Sequence, residues 1–165
     1  MMRRISHYLL MVIAVTIGAC NTKGTSYKEK TPILIYVGNY VTDGYVQRNE
    51  GYDWSVVSIN QETDSTAHIS VRSRADIKKE SCSFNATAAL STTGDTLISK
   101  YENANIYFVV SSDTLIISSD TPNLLYFFCS GGGSLAGEYL KLHENLDIGQ
   151  LADTTGQSVR KKTES

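Results

Sequence analysis

The stretch CSFNATAAL, residues 82–90, places Cys82, Phe84, Ala86, Ala88 and Leu90 on one face of an extended chain and Ser83, Asn85 and Thr87 on the other. HISVRSRA, residues 68–75, repeats the device, with Ile69, Val71 and Ala75 opposing His68, Ser70, Arg72 and Arg74. Strict alternation at period two marks strands of an antiparallel sheet with one wet face. Runs that fit it cover 33–41, 54–61, 67–75, 82–90, 96–102, 105–111, 114–119, 124–129 and 135–142. Short polar turns such as 62–65, 93–95 and 112–113 separate them, with residues that tolerate tight reversals. Only two prolines interrupt the chain. Regular short strands with almost no helical period predict an all-β fold, an antiparallel up-and-down β-barrel of about eight strands, with a β-sandwich as the alternative. A barrel hides its sheet edges by closing.

Two regions fall outside the pattern. DGYVQRNEGYDW, residues 43–54, is too long for a hairpin turn and is expected to hold a helical turn between the first two strands. Residues 143–165 form a polar C-terminal tail, with Leu146, Ile148 and Leu151 as its anchors and a frayed RKKTES end.

The N-terminus reads MMRRISHYLLMVIAVTIGAC: Arg3 and Arg4, an apolar run from Tyr8 to Ala19, then Cys20. A run of about a dozen residues is short of the ~20 that cross a bilayer, and the layout is that of a cleaved secretory signal peptide, residues 1–19. Ile17, Gly18, Ala19 and Cys20 resemble the bacterial lipobox, which implies diacylglyceryl attachment at Cys20 and a membrane-tethered mature chain. Asn21 stands where inner-membrane retention of such proteins favours Asp, so the resemblance implies an outer-membrane anchor. Residues 20–31 are then the lipidated cysteine and a flexible polar tether, and the barrel domain is expected over 32–142.

Without the leader 146 residues remain, one ordinary domain. Losing Arg3 and Arg4 leaves 13 basic against 17 acidic side chains, a formal charge of −4. An acidic balance argues against nucleic acid and suits a basic protein partner. With Cys20 lipidated, Cys82 and Cys129 remain in an oxidising compartment, where a disulfide is the default and a free reactive thiol the alternative. A bridge closing a loop of 47 residues stabilises by roughly 4 kcal/mol in the chain-entropy model.

FFCSGGGSLAGEY, residues 127–139, contains the one glycine triplet. A phosphate-binding loop needs G-x-x-x-x-G-K-[ST] between strand and helix, and a nucleophile elbow needs G-x-S-x-G; the stretch has neither. It reads as a glycine turn or bulge before the closing strand, with Ser130, Gly131, Gly132, Gly133 and Ser134 as a candidate recognition loop. The chain after the leader has only His68 and His143, without C-x-x-C or H-x-x-x-H spacing, so no metal, no cofactor and no enzyme activity is expected. Arg72 and Arg74 share a strand face. They are either a solvated outer face or a patch for partner carboxylates. Tyr36, Tyr40, Tyr45, Tyr52 and Trp54 are the densest aromatic cluster, serving core packing or, with Tyr36, Tyr40 and Trp54, lining a ligand cavity. YVGNYV, residues 36–41, resembles the G-x-W opening of lipocalins.

A longer resemblance runs through SCSFNATA, NIYFVVSSDTLIIS and FFCSGGGSLAGEYLKL, about residues 81–142. This series is similar to small secreted bacterial lipoproteins that resemble the periplasmic and membrane-bound lysozyme inhibitors. The resemblance implies a small disulfide-held antiparallel barrel, with Cys82, Cys129, Gly137 and Tyr139 matching the structural pattern, and a protein that blocks a basic hydrolase such as lysozyme. The expected function is therefore binding of an envelope-targeting protein by an outer-membrane-anchored lipoprotein. A lipocalin-like carrier of a small apolar ligand is one alternative and a structural envelope protein another.

Overall fold

The computed structural model describes residues 32–152; the leader, Cys20, the tether and the tail from 153 onward lie outside the described residues. Eight strands follow one another: β1 Gly38–Val41, β2 Ser55–Gln61, β3 Thr66–Ser73, β4 Ser83–Leu90, β5 Leu97–Tyr101, β6 Ala104–Ser111, β7 Thr114–Ser119 and β8 Gly137–Lys141. Each pairs antiparallel with its neighbour, and β8 returns to β1 through Tyr40↔Lys141 and Val41↔Leu140. The sheet is thus a closed up-and-down barrel, and the sandwich alternative is set aside. Among the described residues no helix is long and apolar enough to cross a membrane.

Period two places the core as the sequence predicts. On β3 Ala67, Ile69, Val71 and Ser73 are buried while Thr66, His68, Ser70 and Arg72 are only half-buried. On β4 Phe84 and Ala88 are buried, and Ala86 and Leu90 pack against them from partly buried positions. Ser73 is the exception in kind, a polar side chain facing inward. Its hydroxyl accepts the backbone N–H groups of Ser81 (2.8 Å) and Cys82 (2.9 Å), which removes the cost of burying it.

Two predicted strands are corrected. The run 33–41 divides: Pro32–Ile35 is a 3-10 turn that puts Ile33 and Tyr36 into one mouth of the barrel, and only Gly38–Val41 is strand. Proline at the first position suits that turn, since its missing N–H would have no helical partner. The run 124–129 is not a ninth strand. Leu124 and Leu125 are both buried, which successive residues of a strand with one dry face do not achieve, and Leu124–Tyr126 coils as a 3-10 turn.

The residues after that turn fill a seam in the wall. β3 and β4 share seven residue pairs, but β4 and β5 share only Ala89↔Ile98 and Leu90↔Leu97. Below those pairs the vacated edge of β4 is taken by the segment: Ser83 N–H donates to the Phe128 carbonyl (2.9 Å) and Ser130 N–H to the Ser81 carbonyl (2.7 Å). Phe128 wedges edge-to-face against Phe84 and Tyr101, with ring centres 4.9 and 5.0 Å apart. The Cys82–Cys129 disulfide fastens the segment in place, so the pair is bridged and the free-thiol alternative falls.

A second apolar layer lies outside the barrel. Val41 and Val56 point outward from β1 and β2 and are covered by Tyr45, from the 3-10 segment Asp43–Glu50, and by Trp54, with Leu142, Leu146 and Leu151 alongside. The helical turn expected between the first two strands is this Asp43–Glu50 segment. The first part of the predicted tail belongs to the layer too. Ala75 N–H donates to the Gln150 carbonyl (2.8 Å), Trp54 Nε1 to Gln150 Oε1 (2.9 Å), and Asp147 N–H to the Tyr45 hydroxyl (2.8 Å). Leu146 and Leu151 act as anchors, whereas Ile148 is exposed.

Candidate functional site: the disulfide end of the barrel

In an up-and-down barrel the connections β1–β2, β3–β4, β5–β6 and β7–β8 emerge at one end. Here that end holds the disulfide, the glycine triplet and the longest connections. Pro32 enters at the other end, where the Tyr36 hydroxyl reaches the Gly94 carbonyl of the β4–β5 turn (3.5 Å). Any tether attached through residue 31 therefore joins the domain opposite the disulfide.

Two of the three glycines of the triplet are required by the backbone. Gly133 N–H donates to the Ser130 carbonyl (3.3 Å), and the two residues between, Gly131 (φ 68°) and Gly132 (φ 82°), are both left-handed. That is a type I′ turn, which selects glycine at both central positions. At Gly133 an added Cβ would stand 3.4 Å from Cys129 Cβ and 3.6 Å from Cys82 Sγ, ordinary contact distances, so the turn packs onto the disulfide without a demand for glycine at this position. Ser130, Gly131 and Gly132 are exposed, Gly133 and Ser134 half-buried. The candidate recognition loop is thus a disulfide-backed turn at the tip of the barrel.

Beside it is a polar cleft of about 380 Å³ lined by Asp53, Lys78, Lys79, Ser81 and the turn. Lys78 is held by Asp53 (2.5 Å), while Lys79 is in no ion pair among the described residues. The same end exposes Phe127 (81%), Ile77 (62%), Tyr126 (53%) and Tyr52 (51%). This end of the barrel therefore presents a polar cleft with one unpaired ammonium among the described residues, together with four exposed apolar side chains carried by the same set of connections. Alternation does not reveal these four residues, because they sit in connections. The signal available was FF next to the disulfide cysteine at 127–128, where one ring wedges inward and the other is left outside.

The arginine patch is corrected in part. Arg74 is on the outward face, as predicted, but buried beneath the outer layer. Its guanidinium donates to both carboxylate oxygens of Asp76 (2.6 and 3.0 Å) and to the carbonyls of Arg48 (2.8 Å) and Tyr52 (3.0 Å). It ties the 43–52 connection to β3 and has no face free for a partner. The bond from Arg74 holds the Asp76 carboxyl below the ordinary carboxylate range, and Asp76 in turn raises Arg74. Arg72 is half-buried, donating to the Val71 and Phe84 carbonyls and to Asn85 Oδ1. The structure does not bring either arginine to the glycine turn's cleft.

The predicted ligand-cavity trio is divided. Tyr36 and Tyr40 are inside the barrel and fully buried, but Trp54 packs outside the wall against Tyr45. The Tyr40 hydroxyl donates to the Tyr36 carbonyl (2.9 Å) and that of Tyr139 to the Leu135 carbonyl (3.0 Å). Burial pushes both phenols up to about 12, with Asp113 and Tyr36 adding to the effect at Tyr40. These side chains fill the interior and satisfy their own polar atoms.

His68, half-buried, and His143, exposed, sit toward the opposite end, each facing one carboxylate: Glu62 (4.0 Å) and Asp113 (3.2 Å). Among the described residues no group of three His, Cys, Asp or Glu is placed to hold a metal ion. Cys20, the predicted lipidation site, lies outside the described residues. No family model, curated protein or solved structure matches the chain.

Proposed function

We propose that this chain is an outer-membrane-anchored lipoprotein that binds an envelope-targeting protein, with inhibition of a lysozyme-type hydrolase as the specific form. The observation that carries the reading is the disulfide end itself. A disulfide-backed turn, a lysine unpaired among the described residues and four exposed apolar side chains are gathered at the end opposite the tether's point of entry, where an anchored domain would face away from its membrane. The acidic charge of −4 suits a basic hydrolase and predicts association that slows as salt rises. The carrier alternative gains no support from Tyr36, Tyr40 and Trp54, since two are core and the third is outside.

The test is whole-cell turbidity with c-type, g-type and i-type lysozymes, with and without the 21–165 chain. Dose-dependent protection against one type is the expected result. Lysis unaffected in all three would overturn the inhibitor form of the proposal.

A further inference from the structure

The outer wall carries an apolar band that the outer layer covers only in part. Val109 on β6 lies opposite Ile116 on β7, and Leu140 on β8 is diagonal to Ile116 and opposite Val41 on β1, which is opposite Val56 on β2. Direct and diagonal neighbours on one sheet face are within reach of each other. Over β1 and β2 the layer reduces Val41 and Val56 to 6% and 1% exposure. Over β7 and β8 the band is bare: Ile116 is 38% and Leu140 49% exposed, and Val46 on the rim of the layer is 81% exposed. A groove of about 510 Å³ opens where the cover stops, between Val41, Tyr45 and Val46 on one side and Leu140 and Leu142 on the other.

The charges around the bare half have one free sign. Asp43 and Glu144 line the groove, and Glu138 shares the outward face of β8 with Leu140. None of the three is in an ion pair among the described residues. The two cations lining the groove are engaged internally. Arg48 faces Asp147 (Nε to Oδ2 3.7 Å), bonds the Tyr45 carbonyl and stacks on its ring at 4.2 Å. Lys141 leans over the Tyr40 ring at 5.5 Å.

We infer that the bare half of the band docks a cationic amphipathic segment of a partner: a row of apolar side chains seated on Ile116 and Leu140, with Lys or Arg on its flanks to meet Asp43, Glu138 and Glu144. Charge decides against a second copy as the occupant, because two such faces would bring like carboxylates together. None of the residues lining this groove lines the cleft beside the glycine turn, so this inference stands or falls apart from the proposed function.

The probe is a dye-labelled synthetic Leu/Lys helix of ~14 residues with one apolar face, titrated into the chain from residue 21 onward and followed by fluorescence anisotropy. Saturable binding is expected, weakened about tenfold or more by Leu140→Lys and by Ile116→Lys, each checked for an unchanged urea midpoint. Affinity is expected to fall with added salt, and a Leu/Glu helix to bind at least about tenfold more weakly. Absence of saturable binding overturns the inference, as do equal affinity for a composition-matched helix without an apolar face and affinity indifferent to both substitutions. Sedimentation of the wild-type chain as a dimer that Leu140→Lys dissolves would assign the band to self-association and overturn it equally.

Discussion

Inside the barrel, apolar side chains arrive two residues apart along eight strands and meet a closed wall. Outside, over β1 and β2, a comparable layer is assembled from a 3-10 segment, one tryptophan and three leucines beyond the last strand. The inner layer follows from a local rule, since each strand delivers every second side chain to the same place. The outer one depends on segments separated by about a hundred residues, joined by Trp54 to Gln150 and Asp147 to Tyr45. The inner layer therefore holds the fold together, and the outer one sets what the surface presents, covering part of the wall and leaving part bare.

The interior should carry the greatest loss of stability when it is cut. Phe108 is fully buried against Phe84 in the interior, and Phe108→Ala should cost about 3–5 kcal/mol. Urea unfolding would show this, and a loss below about 1 kcal/mol would mean the interior is not the dominant core. Next, Cys82→Ser with Cys129→Ser should cost roughly 2–5 kcal/mol. Hydrogen exchange in that variant should quicken at the seam, around Ser83 and Ser130, before it quickens in β2 and β3.

The outer layer should respond less. At Gly44 an added Cβ would collide with the Asp53 carbonyl, so Gly44→Ala should cost about 1–3 kcal/mol and shift tryptophan fluorescence, because Asp53 adjoins Trp54. Gln150→Ala, losing the hydrogen bond from Trp54 Nε1 and the one its own amide donates to the Arg48 carbonyl, should cost about 1–2 kcal/mol. A larger loss at Gln150 than at Phe108 would invert the proposed hierarchy.

The smallest effect expected is on pH dependence. Arg74 holds Asp76 below the usual carboxylate range, so the unfolded chain binds the proton more readily. That contribution to stability is complete above the unfolded value, near 4, and is lost as pH falls through the depressed folded value. Asp76→Asn should flatten the acid limb of stability against pH. An unchanged limb would show that the Arg74 bond does not couple to folding.

Strand positions, inward residues and the cysteine pair were legible in the sequence because alternation and cysteine count are local or compositional signals. Three features escaped for one physical reason: in each, tertiary packing overrode a pattern. LLYFFC reads as a strand, but the seam between β4 and β5 asks for a turn followed by a two-sided wedge at Phe128. Arg74 obeys the alternation that points it outward, and only the distant cover over β1 and β2 buries it. Trp54 is drawn to Tyr45 rather than to Tyr36 and Tyr40 because it precedes β2 at the outer layer's margin. At the candidate site the turn was legible from its glycines. Lys79, Ile77 and Phe127 were not, since side chains in connections have no periodicity to betray them.

The proposed docking of an envelope-targeting protein at the disulfide end is tested by repeating the lysozyme protection assay with Phe127→Ser beside wild type and Leu140→Lys. Phe127→Ser should weaken protection about tenfold or more while Leu140→Lys, on the wall, leaves it intact. Full protection by Phe127→Ser, or its loss in Leu140→Lys alone, would contradict docking at that end.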